Sequence, residues 1–231
     1  MQVITQPHIE LNPDFKVYAD LTLVCLTLRV NSLIKSNGFD IKILCKELYC
    51  SDVSHGFDSS SPDLDNQANR NGRNGNRGRR HGESGQNGQD GKIGKDAGNI
   101  SIYASYIHNR MTLKASGADG GNGGKGGDGM NGKDASSRVA GDCHISTDCS
   151  TIYRGAKGGD SGKPGAGSNG SDGGNIEVRY LESSQLQTAD MDNDGGNAGK
   201  NGPLGIPGRG GTGQKYILYG NFPGGRSTII R

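Results

Sequence analysis

The chain is poor in the side chains from which a large apolar core is normally built. None of its 231 residues is tryptophan, aromatic residues make up 5%, and all hydrophobic residues together make up 30%. A globular chain of this length would ordinarily bury a sizeable apolar core. Backbone hydrogen bonds must therefore supply more of the cohesion, because buried N–H and C=O groups need partners in any case.

Long apolar runs and a strong excess of one charge are also lacking. No segment reaches the ~20 apolar residues needed to span a bilayer, and the formal net charge of +2 creates no strong field to attract nucleic acid or a membrane surface. We therefore expect neither nucleic-acid binding nor membrane insertion. Residues 1–12 have no basic start and no apolar stretch, so they predict no signal peptide.

Glycine, by contrast, is abundant and regularly placed. Of 42 glycines, only Gly38 and Gly56 precede Gly72. The others recur largely at every third position, in stretches spanning 82–94, 117–132, 159–173 (with one slip) and 196–211. A period of three matches a polyproline-II helix, which rises ~3.1 Å per residue and has no internal hydrogen bonds. The sequence therefore predicts extended rods whose bare glycine edges let neighbouring backbones approach and form hydrogen bonds.

Flexible linkers and collagen are the alternatives for such a composition. A linker needs no period, and collagen needs an unbroken triplet repeat with abundant proline, whereas this chain has seven prolines. The rods are thus the favoured interpretation. The glycines expected to lie where the rods touch are Gly120, Gly123, Gly126, Gly199, Gly202 and Gly205.

A second repeat consists of short alternating apolar segments. Residues 21–30 align with residues 41–50, so that Leu21 and Leu23 match Ile41 and Ile43. Alternation of this kind indicates half-buried strands. The pattern returns at 100–115, at 176–189 and, as a final coil, at 216–219 with 227–230.

A unit of two strands every ~20 residues is what a coil of a stacked repeat requires. We therefore predict an all-β fold of β-solenoid-like coils with an inserted polyproline-II or polyglycine-II rod bundle and essentially no α-helix. A strand region, 1–58, and a Gly-rich region, 59–231, would form one continuous structural unit.

The run from Gly120 to Gly129 carries Asn122, Lys125 and Asp128 between doubled glycines. It resembles the polyglycine-II bundles of phage tail-tip adhesins and of snow-flea-type antifreeze proteins, and the strand segments are similar to parallel β-helix proteins. The resemblance implies a rigid extracellular or particle-borne surface module. It is one of repeat pattern, and it assigns no functional residue.

Two short constellations suggest a metal ion or a covalent link. Asp190, Asp192 and Asp194 alternate before a glycine, like the start of a calcium loop, although Asn201 occupies the twelfth position, where a glutamate would be needed. A solvated acidic turn is the alternative. Cys143 and Cys149 bracket a short loop and are the candidates for a disulfide, while the odd total of five cysteines leaves the redox compartment undecided.

Phosphate binding and catalysis find less support. Five arginines between residues 70 and 80 lie among Gly and Asn, but no aromatic residue is interleaved to stack on a base, so a solvated edge is favoured. We find no nucleophile motif, no phosphate loop and no carboxylate constellation, and we assign no catalytic residue and no organic cofactor. The sequons at Asn99 and Asn169 would matter only on a secretory route.

These observations predict a non-catalytic structural or adhesive surface module, or a subunit of a fibre or larger assembly. Open strand edges would favour self-association, and a surface glycan is a further candidate partner. Extracellular or particle-surface placement is expected. The alternatives are an ice-binding protein and a carbohydrate-active enzyme built on a β-helix.

Overall fold

The computed structural model describes residues 1–63, 67–134, 149–153, 155–183, 189–212 and 214–218. In these ranges it contains twelve strands and one helical turn, and no helix there is long and apolar enough to cross a bilayer. The elements are β1 Gln2–Thr5, β2 His8–Leu11, β3 Leu21–Val30, β4 Leu33–Lys35, β5 Ile41–Cys50, β6 Gly56–Asp58, α1 Gln67–Arg70, β7 Ile100–His108, β8 Met111–Lys114, β9 Cys149–Tyr153, β10 Ile176–Ser183, β11 Ala189–Asp192 and β12 Gln214–Leu218.

Most of the strands belong to two parallel sheets. A six-stranded sheet has the order β1-β3-β5-β7-β10, and β2 also pairs with β3. A four-stranded sheet has the order β11-β8-β6-β4. All neighbours in both sheets run parallel. The remaining pair, β9 and β12, is antiparallel.

The core lies between the inward faces of the two sheets. Leu23, Ile43 and Ile102 are in-register neighbours on β3, β5 and β7 and are fully buried. Phe57 and Leu113 face the same cluster from the four-stranded sheet. The predicted core is therefore confirmed: Leu21, Leu23, Ile41, Ile43, Ile100 and Ile102 are buried in it, and Ile176 and Val178 pack against it.

Each long strand of the six-stranded sheet bends at the same level. Pairing between β3 and β5 runs to Cys25 and Cys45, omits the next residue and resumes at Thr27 and Glu47. Beside the bend, the N–H groups of Leu26 and Thr27 both donate to the Pro7 carbonyl, at 2.9 and 3.0 Å. After the bend, alternate residues again face outward, so Thr27 and Arg29 lie on the outer face of the sheet.

The predicted all-β, solenoid-like fold with a polyglycine-II bundle is wrong. The strands form two separate parallel sheets, a helical turn is present, and β12 pairs antiparallel with β9 rather than extending either sheet. Residues 219 and 227–230 of the expected last coil lie outside the described ranges. Alternation specifies which side chains face a core, but it is the same for any half-buried strand and does not specify how strands are connected.

The described residues fall into two compact units. Unit 1 comprises 1–71, 91–122 and 167–200 and contains both parallel sheets. Unit 2 comprises 72–90, 123–166 and 201–231 and contains β9 and β12.

Five glycine-rich segments, neither helix nor strand, connect or flank the strands. We number them in chain order and call them triplet segments: T1 is 71–78, T2 is 83–98, T3 is 115–134, T4 is 155–175 and T5 is 193–212. T2 to T5 each contribute residues to both units.

Backbone hydrogen bonds between triplet segments recur every three residues. In unit 2, the N–H groups of Gly159, Gly162 and Gly165 on T4 donate to Met130, Gly127 and Gly124 on T3, each at 2.8 Å. In unit 1, Ser168 and Ser171 on T4 donate to Gly121 and Ala118 on T3, at 3.0 and 2.9 Å. The expected bonds between glycine-rich backbones are therefore present in both units.

Side chains add a second type of link, which we call an Asx clamp. Asp128 accepts the N–H of Ile206 through Oδ1, at 2.8 Å, and the following residue, Gly129, donates its N–H to the carbonyl of Ile206, also at 2.8 Å. One Asp or Asn and the residue after it thus satisfy both backbone groups of a residue on a parallel neighbour. The same link joins Asn74 to Lys125, Asn87 to Lys163, Asp96 to Asp172, Asp119 to Asn197, and Asn131 to Arg209.

Asx clamps also align the starts of the long strands in unit 1. Asp20 clamps Asp40, which clamps Asn99, which clamps Asn175. Each of these residues directly precedes a strand, β3, β5, β7 or β10. The column therefore supports the register in which Leu21, Ile41, Ile100 and Ile176 lie side by side.

Candidate binding surface

Two rows of polar and aromatic side chains cross the outer face of the six-stranded sheet in unit 1. The strand register determines which residues belong to each row, because in-register residues on parallel strands lie beside one another. The first row is His8, Thr27, Glu47, Tyr106 and Glu182. The second row is Glu10, Arg29, Tyr49 and His108.

The second row contains a stack of planar groups. The rings of Tyr49 and His108 lie 3.9 Å apart between centroids and within 5° of parallel. The Arg29 guanidinium lies over the Tyr49 ring, 5.2 Å from its centroid, and Tyr106 contacts His108 at 4.4 Å in a tilted arrangement. Cation–π and ring contacts of this kind are stabilising, and together they fix the position of Tyr49.

Glu47 connects the two rows. Its Oε2 accepts a 2.6 Å hydrogen bond from the Tyr49 hydroxyl, and this bond is the main reason why the pKa of Tyr49 is raised above its usual value. The same oxygen lies 3.9 Å from Nε2 of His108, a buried atom that has no hydrogen-bond partner among the described residues. The second row is therefore held firmly around Tyr49, and Nε2 of His108 lies beside it without a hydrogen bond to the described residues.

A hollow of approximately 390 Å³ lies where the rows cross β2, β3 and β5. Thr27 lines it with a short side chain, between His8 and Glu47 in the first row, and Ile9 also contributes to the lining. Glu10, Arg29 and Tyr49 of the second row line the other side. Its lining thus combines two carboxylates, a guanidinium, an imidazole and two hydroxyls. Such a set offers several hydrogen-bond donors and acceptors to one small polar ligand.

A second cluster on the same face contains Tyr103, Glu177 and Arg179. The Tyr103 hydroxyl donates to Oε2 of Glu177 at 2.6 Å, and Nε of Arg179 donates to Oε1 at 2.7 Å. These two bonds, that from Tyr103 first, lower the pKa of the Glu177 carboxyl. Both oxygens of Glu177 are therefore engaged, and the cluster offers a ligand fewer unused groups than the hollow does.

The structure disperses the three aspartates of the predicted calcium loop. Asp190 pairs with Arg110, while the backbone carbonyls of Asp192 and Asp194 accept the N–H groups of Ala115 and Gly117, at 2.7 and 2.8 Å. Within the described ranges, no three His, Cys, Asp or Glu side chains converge in a way suited to a metal ion. Calcium binding by Asp190, Asp192 and Asp194 stays a prediction from the sequence.

The six singled-out glycines lie where triplet segments approach one another. A methyl group built on Gly120, Gly123 or Gly126 of T3 would fall on a T4 carbonyl oxygen, that of Ser168, Gly165 or Gly162. For Gly199, Gly202 and Gly205 of T5 the obstructing oxygens belong to T3. Their role is thus to permit close backbone approach.

Four of the five cysteines lie within the residues that the structure describes. Cys143 lies outside the described residues and Cys149 begins β9, so the predicted disulfide stays untested. Cys25, Cys45 and Cys50 are free thiols. Burial is the main cause that raises the pKa of both Cys45 and Cys50 to about 12, so neither thiol is poised as a nucleophile at neutral pH.

The arginine-rich segment is used for internal contacts. Arg70 is buried, and its Nε donates to the carbonyl of Asp119 at 3.0 Å. At the turn after T1, the backbone N–H groups of Arg79 and Arg80 both donate to Oε2 of Glu83, at 2.8 Å. The backbone amides of Arg79 and Arg80 therefore bind a carboxylate of the chain itself.

Sequence reasoning missed the two outward rows. The signal was present: Glu47 and Tyr49 on β5 align with Tyr106 and His108 on β7, at alternate positions after the bend. No family model, curated protein or solved structure matches this chain. The residues and their geometry are thus the basis for a functional proposal.

Proposed function

We propose that the protein is a non-catalytic structural or adhesive module that acts on a particle or cell surface and joins a larger assembly. The observation that supports this proposal is the hydrogen-bond pattern of the triplet segments. Backbone bonds at three-residue intervals and Asx clamps satisfy segments that have few apolar side chains. A chain held in this way gains stiffness, which is useful for presenting a surface.

The strand edges support the assembly part of the proposal. In the six-stranded sheet, β10 pairs with β7 alone among the described strands, and β1 and β2 pair with β3 alone. Leu181 on β10 is 82% exposed. A strand at the edge of a sheet that also exposes an apolar side chain is a template for pairing with another chain.

Sedimentation velocity over a wide concentration range tests this proposal. We expect the average mass to rise with concentration, and Leu181→Lys to suppress the rise, because a lysine on an edge strand opposes edge pairing. Leu204→Lys is the matched control, since Leu204 is also largely exposed but belongs to T5. A strict monomer at every concentration, combined with turnover of any polysaccharide, would overturn the proposal.

A further inference from the structure

We propose that the hollow formed by Glu10, Thr27, Arg29, Glu47 and Tyr49 is a binding site for a neutral saccharide. The inference rests on the proposed adhesive role, to which it adds a site and a ligand class. It goes beyond that role because the stiffness of the triplet segments says nothing about what the module recognises.

Several polar groups around the hollow are still available to a ligand. Glu47 uses Oε2 for the Tyr49 hydroxyl, and Glu10 uses Oε1 for the Asn31 amide at 2.7 Å. Among the described residues, one oxygen of each carboxylate is thus left for a ligand. The Arg29 side chain forms no hydrogen bond or ion pair with the described residues, and its guanidinium contacts the ring of Tyr49. Its five N–H groups are therefore unused.

Neighbouring hydroxyls of a sugar ring match this arrangement. Each hydroxyl donates one hydrogen bond and accepts others. A pair of hydroxyls can donate to the free oxygens of Glu10 or Glu47 while accepting from Arg29, whose planar fork suits two adjacent acceptors. The volume of approximately 390 Å³ lies within the ~300–1,000 Å³ range of small-ligand sites.

The stack behind the hollow holds it in shape. His108 covers one face of Tyr49 at 3.9 Å, and the Arg29 guanidinium lies over the ring at 5.2 Å. Rigid donors and acceptors lose little conformational entropy when a ligand binds. Because both groups contact the Tyr49 ring, the site would recognise a sugar by its hydroxyl groups rather than by stacking on this ring.

Charge selects the class of saccharide. Two carboxylates and one guanidinium line the hollow, so an anionic sugar would meet more repulsion than attraction. Like-charge juxtaposition at a binding site is costly and suppresses the wrong partner. Neutral hexoses therefore fit, while sialylated or sulfated glycans do not.

The test uses the full chain on an array of neutral, sialylated and sulfated oligosaccharides, followed by titration calorimetry with the best neutral ligand. We expect neutral glycans to be preferred. Thr27→Tyr, which adds a large side chain to the lining of the hollow, should weaken binding by at least about tenfold. Thr22→Tyr, an outward residue of the same strand outside the hollow, should leave binding unchanged.

Glu10→Gln gives a second measurement if Thr27→Tyr fails to fold, since it removes one charge from an exposed side chain. It should also weaken binding by about tenfold, in line with loss of a charged hydrogen bond. Absence of neutral-glycan binding, a preference for sialylated or sulfated glycans, or unaltered binding by both hollow variants would overturn the inference. Sedimentation of the same samples keeps this outcome separate from failure of the proposed assembly.

Discussion

Lys125 and Pro203 lie opposite each other at a position where the side-chain hydrogen bond of an Asx clamp has neither its acceptor nor its donor. In unit 2, T3 residues accept the N–H of the residue 78 positions later: Asp128 from Ile206 and Asn131 from Arg209. Lys125 has no acceptor on its side chain, and its counterpart Pro203 has no N–H. The backbone hydrogen bond of the clamp is still present, because the N–H of Gly126 donates to the Pro203 carbonyl at 3.0 Å.

A double-mutant cycle at Lys125 and Pro203 tests this match. Pro203→Ala restores an N–H that finds no side-chain acceptor, and Lys125→Asn supplies an acceptor that finds no N–H. The double variant completes the clamp, so we expect a favourable coupling of about 0.5–1.5 kcal/mol in the free energy of unfolding. Urea unfolding of the four proteins measures it. Additive effects would show that the clamp bond contributes nothing.

Ile93 interrupts the series of Asx side-chain hydrogen bonds between T2 and T4. Asp96 accepts the N–H of Asp172, 76 residues later, and by the same register Ile93 lies opposite Asn169. Ile93→Asn should therefore add an acceptor and raise the free energy of unfolding by about 1 kcal/mol. Ile93→Lys is the control, because it also removes an exposed apolar side chain but offers no acceptor. Equal stability of the two variants would contradict the prediction.

Gly123 and Gly210 provide a matched pair for testing close backbone approach. A methyl group on Gly123 would fall on the carbonyl oxygen of Gly165, whereas one on Gly210 would meet no atom of the described residues within 4 Å. Gly123→Ala should cost roughly 2–4 kcal/mol, because a backbone must shift to make room. Gly210→Ala should be neutral or slightly stabilising. Thermal unfolding of both variants decides the question, and similar Tm values would contradict close packing.

Acidification should open some clamps and spare others. The hydrogen bond from Ile206 is the first cause that lowers the pKa of Asp128, and bonds from Thr212 lower that of Asp134. Because the pKa of each carboxyl is lower in the folded than in the unfolded protein, these bonds contribute their full stability above the unfolded-state pKa. That contribution is lost as the pH falls through the folded-state pKa.

NMR titration of backbone amides separates the two kinds of clamp. The Ile206 and Thr212 amide shifts should move with midpoints below the usual aspartate range. Arg209 is the internal control, because its N–H donates at 2.9 Å to Asn131, whose side chain does not titrate. A synchronous change of all three amides would point to global unfolding and contradict local clamp opening.

The sequence predicted the core better than the architecture. Alternation around Leu23, Ile43 and Ile102 identified the buried positions correctly, because the two-residue period of a strand directly sets its faces. The pairing of β12 with β9 left no comparable trace, since it depends on contacts between distant parts of the chain.

The Asx clamps were missed for a related reason. The sequence places Asn122 between doubled glycines but predicts no partner for its side chain, whose Oδ1 accepts the Lys200 N–H at 2.7 Å. An Asp or Asn before glycine is common in turns. Which N–H group donates to that side chain depends on how many residues separate the two parallel segments in register. A single sequence does not contain this number.

The clamps also govern how the protein ages chemically. An Asn-Gly pair deamidates when the glycine nitrogen attacks the asparagine side chain, which requires both groups to move. Asn131 and Gly132 are both held by Arg209, at 2.9 and 2.7 Å. By contrast, the exposed Asn169 before Gly170 makes no side-chain hydrogen bond with the described residues. Mass spectrometry of stored folded protein should therefore find deamidation at Asn169 well before Asn131, and urea should abolish the difference.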